Sequence, residues 1–210
     1  MLAPRLFLRA ALLCLIAGYV DIIGYIQLGG VFAANMTGNS VLLVLAMARG
    51  EGLRVASYVV TLAAFLAGAI VASAGRRATR RPVAALAAAA ALVLFVALAP
   101  VPPLAELAML ATAMGLQGAA ITRFGSTSLQ TVVVTGTMIR LADNLVEQVM
   151  PERTERTAGA TLLDALAWLA YIVGAAIAMA AQHAMSRPLI LGAAALLGVA
   201  LESRIPERPR

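Results

Sequence analysis

Ten residues place polar or basic chemistry inside a chain that is otherwise apolar. They are Asp21, then Asn35, Thr37, Gly38 and Asn39, then Gln117 and Arg123, and last Thr135, Gly136 and Thr137. Asp21 stands among Tyr19, Val20, Ile22 and Ile23, about twelve residues and roughly 18 Å along a helix from Arg9. A carboxyl group that deep in an apolar helix marks an ion or proton pathway, unless a fixed hydrogen bond or ion pair uses it to lock two helices together. Arg123 has the right charge to be such a partner.

The stretch Gly-Gly-Val-Phe-Ala-Ala-Asn-Met-Thr-Gly-Asn-Ser, residues 29–40, is the second concentration of chemistry. Peptide groups in hydrocarbon must be hydrogen-bonded, so non-helical chain at membrane depth survives only against protein or a water-filled cavity. Asn35, Thr37, Asn39 and Ser40 carry short side chains that cap exposed amides, and Gly38 permits a turn or a close backbone approach. A helix starting near Met36 would direct its positive end into the protein, where anions and substrate carboxylates are held. Thr135-Gly136-Thr137 offers a second start of this kind. The competing reading is a capped helix end at the membrane surface that binds nothing. Gln117 is a candidate cavity residue. Arg123 and Arg140 would face either an anionic substrate or lipid headgroups, to which long basic side chains extend from helix ends.

Composition limits what these residues can do. The 210 residues are 62% hydrophobic and 12% charged, with a mean hydropathy of +0.92. Soluble domains are about a quarter charged, so the chain reads as an all-α integral membrane protein, a single membrane domain over 1–210. All sixteen basic side chains are arginine. The absence of lysine excludes a Walker A phosphate site, a pyridoxal phosphate anchor and a retinal Schiff base. With one cysteine (Cys14) and one histidine (His183), one chain can assemble neither a disulfide nor the usual metal sites. Cys14 reads as a packing residue and His183 as an interfacial one. No hydrolase, zincin or dinucleotide motif is present, so no enzyme activity, metal or cofactor is expected. The net charge of +6 lies in short arginine-bearing segments between apolar runs. That pattern orients membrane proteins and meets anionic lipid headgroups rather than nucleic acid.

The elements that must position these residues follow from apolar length and breakers. A bilayer core about 30 Å thick needs roughly 20 apolar residues per helix. Six long helices are predicted near 9–28, 54–74, 83–99, 104–122, 159–181 and 187–202, with two shorter, polar-interrupted segments near 31–48 and 129–146. Gly29-Gly30 closes the first helix, Pro100 and Pro102-Pro103 separate the third and fourth long ones, and Pro188 opens the last. Thr161 and Asp164 have capping-box spacing, and Glu106 falls in the first turn after Pro103. The N-terminus imitates a signal peptide, but the run continues past Asp21 to Leu28 without a small-x-small cleavage site and is read as a retained helix. Ala64, Gly68 and Ala72, with Gly174 and Ala178, make small faces suited to close helix packing.

The order also repeats. At an offset of 98, Thr37-Gly38 falls on Thr135-Gly136; at an offset of 106, Gly68 falls on Gly174 and Arg81-Pro82 on Arg187-Pro188. Two related halves result, about 9–100 and 104–202. If the short segments dip in and return, each half has three spans and the repeat is inverted. If they cross, there are eight spans and a parallel repeat. Six spans put thirteen arginines on one side (5, 9, 76, 77, 80, 81, 123, 140, 153, 156, 204, 208 and 210) against Arg49, Arg54 and Arg187, whereas eight spans give ten to six. The positive-inside rule thus favours six spans, an inverted repeat and cytoplasmic termini.

Four stretches together, Ala-Gly-Tyr-Val-Asp-Ile-Ile-Gly-Tyr (17–25), Gly-Gly-Val-Phe-Ala-Ala-Asn-Met-Thr-Gly-Asn (29–39), Gly-Leu-Gln-Gly-Ala-Ala (115–120) and Val-Thr-Gly-Thr (134–137), resemble the YoaK-like bacterial inner-membrane proteins, domain of unknown function family 1275. The resemblance covers essentially the whole chain. It implies a small multi-pass protein of the bacterial inner membrane and attaches no activity to it. Where that family often has Gln-Asn, this chain has Gln117-Gly118, which removes an amide at 118.

The residues point first to a small-solute transporter or channel-like permease, ion- or proton-coupled through Asp21, with broken segments of two halves meeting near the midplane. The alternative is a non-transporting scaffold or partner subunit whose polar segments serve packing. Substrate, coupling ion and oligomeric state, a homo-oligomer included, are left open by the sequence.

Overall fold

The computed structural model describes residues 4–79, 82–121 and 158–203, and between the last two Arg123–Phe124, Thr127–Ser128, Gly136, Met138, Ile139 and Ala142. The described residues form seven helices: α1 (Pro4–Gln27), α2 (Met36–Ala48), α3 (Gly52–Thr79), α4 (Pro82–Leu98), α5 (Pro103–Ala120), α6 (Ala158–Ala184) and α7 (Leu189–Glu202). A two-residue antiparallel pairing, β1 (Arg123–Phe124) with β2 (Thr127–Ser128), follows α5.

Breakers in the sequence end the helices where expected. Gly29 and Gly30 adopt left-handed φ of 72° and 86°, and the Gly30 amide donates back to the Tyr25 carbonyl, satisfying an orphan acceptor of the last turn. Gly50, at φ 68°, turns α2 directly into α3, with the Glu51 amide on the Ala46 carbonyl. Pro103 opens α5 with Glu106 in its first turn. Helix α3 runs five residues past the expected end near 74, because Arg76 stays helical and donates to the Ala119 carbonyl at the end of α5. The capping box at Thr161 is corrected: α6 starts at Ala158, so Thr161 and Asp164 lie within the helix, Asp164 buried.

Among the described residues, three segments are long and apolar enough to cross a membrane: Phe7–Gln27, Gly52–Ala78 and Thr161–Ala184. At 17 and 14 residues, α4 and α7 reach about 26 and 21 Å. Three of the six full-length spans expected from the sequence are thus clear by length and composition. Large apolar side chains stand exposed on the outside of the bundle, among them Val41, Val44, Leu66, Ile70, Phe95 and Leu169. In water such a surface would drive association; against lipid tails it needs no cover.

Helix α1 lies at the centre, with Leu13, Ile16, Ala17, Val20 and Ile23 all buried. It packs on α6 and α7, while α3 packs on α5 and α2, and α4 packs on α5 and α7. Polar contacts fix directions. Arg9 near the start of α1 pairs with Glu202 at the end of α7, and the Tyr19 hydroxyl donates to the Pro188 carbonyl at the start of α7 over 2.6 Å, so these two helices run oppositely. Arg187 donates to the Leu98 carbonyl, joining the start of α7 to the end of α4. Gln27 and Gln182 join the late turns of α1 and α6, so that pair runs the same way, as α3 and α5 do through Arg76 and Ala119.

Two helix pairs approach to backbone contact. In the α1–α6 crossing, a methyl on Gly18 would overlap the Tyr171 carbonyl oxygen, and one on Gly174 would overlap that of Leu15. In the α3–α5 crossing, Gly68 meets the Thr112 carbonyl and Gly115 that of Phe65 in the same way. Small residues allow this approach, and dispersion and weak C–H···O contacts then hold the pair. Leu15 and Gly18 precede Thr112 and Gly115 by 97 residues, and Phe65 and Gly68 precede Tyr171 and Gly174 by 106. The second spacing is the one read from the sequence. The first is one residue shorter than the 98 that aligns Thr37-Gly38 with Thr135-Gly136.

Candidate functional site

Asp21 lies six residues before the end of α1, about 9 Å inside it, and is only 1% exposed. The chain leaves α1 at Gly29-Gly30, turns back, and passes beside Asp21 as non-helical backbone before α2 begins at Met36. There Asp21 Oδ1 accepts from the Ala34 amide at 2.5 Å and the Asn35 amide at 3.2 Å. Its Oδ2 accepts from the Tyr171 hydroxyl of α6 at 2.6 Å. Amides only donate, so Oδ1 serves as an acceptor facing the positive N-terminal end of α2. Burying a carboxylate costs several kcal/mol unless such donors replace its water. The partners seen are neutral donors from two elements, and the Arg123 side chain, the other candidate partner, lies outside the described residues.

The rest of the turn is bonded by its own side chains. Asn39, fully buried, brackets Phe32: its Oδ1 accepts from the Phe32 amide at 3.0 Å and its Nδ2 donates to the Phe32 carbonyl at 2.7 Å. Asn35 is the N-cap of α2, its Oδ1 accepting from the Gly38 amide at 3.0 Å. Gly38 is needed for that cap, since a Cβ there would press on the Asn35 amide group and the Phe32 ring. The Phe32 ring stacks on Tyr25 of α1 with centroids 4.8 Å apart, and the Tyr58 hydroxyl of α3 donates to the Gly30 carbonyl. Apart from the Asn35 cap on Gly38, these hydrogen bonds hold backbone between α1 and α2.

The structure thus joins Asp21, Asn35, Gly38 and Asn39 in one place. Thr37 is apart from them, its side chain exposed on the outer face of α2 together with Ser40. Gln117 is fully buried on α5, where its Nε2 donates to the Leu13 carbonyl of α1 at 2.8 Å. Its Oε1 is buried without a protein partner. Gly136 is helical, while Thr135 and Thr137 lie outside the described residues, as does most of 129–146. Tyr171 is the contributor that sequence reasoning missed. A signal existed: at the 106-residue spacing Tyr171 falls on Phe65, and at the 97-residue spacing Asp21 falls on Gly118. Both members of the pair occur in one crossing and both are missing from the other.

Comparison with known proteins agrees with the bundle and its exposed apolar girdle. Residues 9–201 match the family described as Protein of unknown function (DUF1275). The UPF0700 transmembrane protein YoaK of Bacillus subtilis (strain 168) is 34% identical over 186 residues, covering 82% of each chain. No solved structure matches. With the match running across every helix described above, the chain belongs to the DUF1275/UPF0700 family of membrane proteins, whose function is unknown.

Proposed function

We propose that the protein is a small-solute transporter or channel-like permease of the bacterial inner membrane, built as an inverted repeat of two three-helix halves with cytoplasmic termini. The observation that carries this reading is the largely buried, non-helical backbone of Val31–Asn35 beside Asp21 and Gly24, about 9 Å inside the end of α1, with α2 only 13 residues long behind it. Backbone of this kind occurs at membrane depth in transporters, where it lines a substrate path and must be able to move. The contact pattern supports the repeat. Helix α1 of the first half packs on α6 of the second, and α5 on α3, through glycines at matched spacings. Opposed directions of α1 and α5 follow if α4 and α5, joined across Pro100 and Pro102-Pro103, pack as an antiparallel hairpin. The Arg9–Glu202 pair supports both termini lying on one side.

Reconstituted protein tests the reading. Wild type should carry at least one solute from a panel of ions, organic acids, amino acids and nucleobases into proteoliposomes, and Asp21→Asn should slow that flux without loss of folded protein. A panel in which nothing moves, and nothing shifts the melting temperature, would reject transport. Unchanged flux in folded Asp21→Asn would remove the ion or proton role of Asp21.

A second reading has an observation of its own. The carboxylate of Asp21 and the amide of Asn39 are engaged in bonding their own backbone, as a non-transporting scaffold or partner subunit requires. It predicts a stable complex on purification from native membranes, with Asp21 variants lowering abundance and altering no flux.

A further inference from the structure

The two crossings share their glycines and differ in their polar groups. In α1–α6 the carboxylate of Asp21 is held by Tyr171 and in turn holds the Ala34 and Asn35 amides. The matched positions of α3–α5 are Gly118 and Phe65, which can neither donate nor accept through a side chain. Loss of one member could be drift; the joint presence of both in one crossing and joint absence from the other marks them as one device. Close helix approach does not require this pair, since Gly68 and Gly115 bring α3 and α5 equally close without it, there beside bonds from Thr112 to the Ala64 carbonyl and from Arg76 to the Ala119 carbonyl.

We propose that Asp21 and Tyr171 form a one-sided latch, in which Tyr171 on α6 positions the Asp21 carboxylate of α1 to pin the start of α2. Release of either group frees Val31–Asn35 locally while both helix crossings stay closed. Tyr171 is a positioning residue, acting on the turn through Asp21. Within the transport reading, on which this part rests, the pinned turn is the gate of the first half, and its release opens the path on that side.

Hydrogen–deuterium exchange of the full-length protein in lipid nanodiscs, for wild type, Tyr171→Phe and Asp21→Asn, tests this. Tyr171→Phe removes a hydroxyl and keeps the ring, so it stays informative if Asp21→Asn fails to fold. Removing a hydrogen bond to a charged group should speed amide exchange over 31–36 by roughly ten- to a hundredfold. Peptides of the α3–α5 crossing, 61–70 and 110–117, should keep wild-type rates. Unchanged exchange at 31–36 in folded Tyr171→Phe overturns the latch, and so does an equal rise in both regions, which would be general loosening. The readout needs no substrate, so a protein that moves no solute would lose the transport reading and leave the latch standing or falling by itself.

Discussion

The α1–α6 and α3–α5 crossings separate two jobs that are often merged when polar residues in membrane helices are explained. Both bring backbones together with one glycine from each helix meeting the partner's carbonyl. Only α1–α6 adds a buried carboxylate and a tyrosine hydroxyl. Close approach of the helices therefore does not require this carboxylate–tyrosine pair, because α3 and α5 come equally near without it. What sits next to the pair and needs it is the irregular backbone before α2, whose amides have no helical partner.

The largest effects should fall equally on both crossings. Gly174→Leu and Gly68→Leu each drive a side chain into a partner carbonyl, and each should abolish recovery of monodisperse protein after detergent extraction, as seen by fluorescence-detected gel filtration. A tolerated substitution at one site alone would break their equivalence. Asp21→Ala comes next, leaving two amides and the Tyr171 hydroxyl without their acceptor. A loss of roughly 3–5 kcal/mol is expected for stripping one side of a buried charged network, read as a fall in melting temperature that Asp21→Asn only partly reproduces. Tyr171→Phe removes one hydrogen bond to a charged group and should cost about 1.5–3 kcal/mol. The mirror change Phe65→Tyr, with no carboxylate at Gly118, should stay within about 1 kcal/mol of wild type. Equal effects of those two in thermal melts would sink the distinction between the crossings. The smallest effect is Asn35→Ala, which removes an N-cap for about 1 kcal/mol and should melt α2 from its first turn without disturbing either crossing.

Much of this was legible in the residues. Helix positions followed from apolar length and from Gly29-Gly30 and the prolines, because these act on neighbouring backbone and need no partner. Asn35 as a cap and a helix start at Met36 were readable for the same reason. Gly68 and Gly174 were visible as small-residue faces, whereas Gly18 has Cys14, Leu15, Asp21 and Ile22 at helical spacing and advertises no such face; Gly115, with Ala111, Gly118 and Ala119 at that spacing, was legible and was passed over. The role of Thr37 was not readable from composition. Its hydroxyl has the same chemistry as the side chains around it, and the rotation of α2 against α3 alone turns it outward.

The sequence by itself determined that this is a membrane protein, where most of its helices lie to within a turn or so, and that the chain leaves the helix at Gly29-Gly30 and re-enters it near Met36, since hydropathy and backbone preference are local properties of the chain. Tertiary structure alone decided what Asp21 bonds. A carboxyl group between Val20 and Ile22 names no partner, and its partners lie 13, 14 and 150 residues away. Their meeting depends on α1 and α6 crossing at Gly18 and Gly174, a long-range contact that brings Tyr171 to the carboxylate while the chain, turning back at Gly29-Gly30, brings the amides.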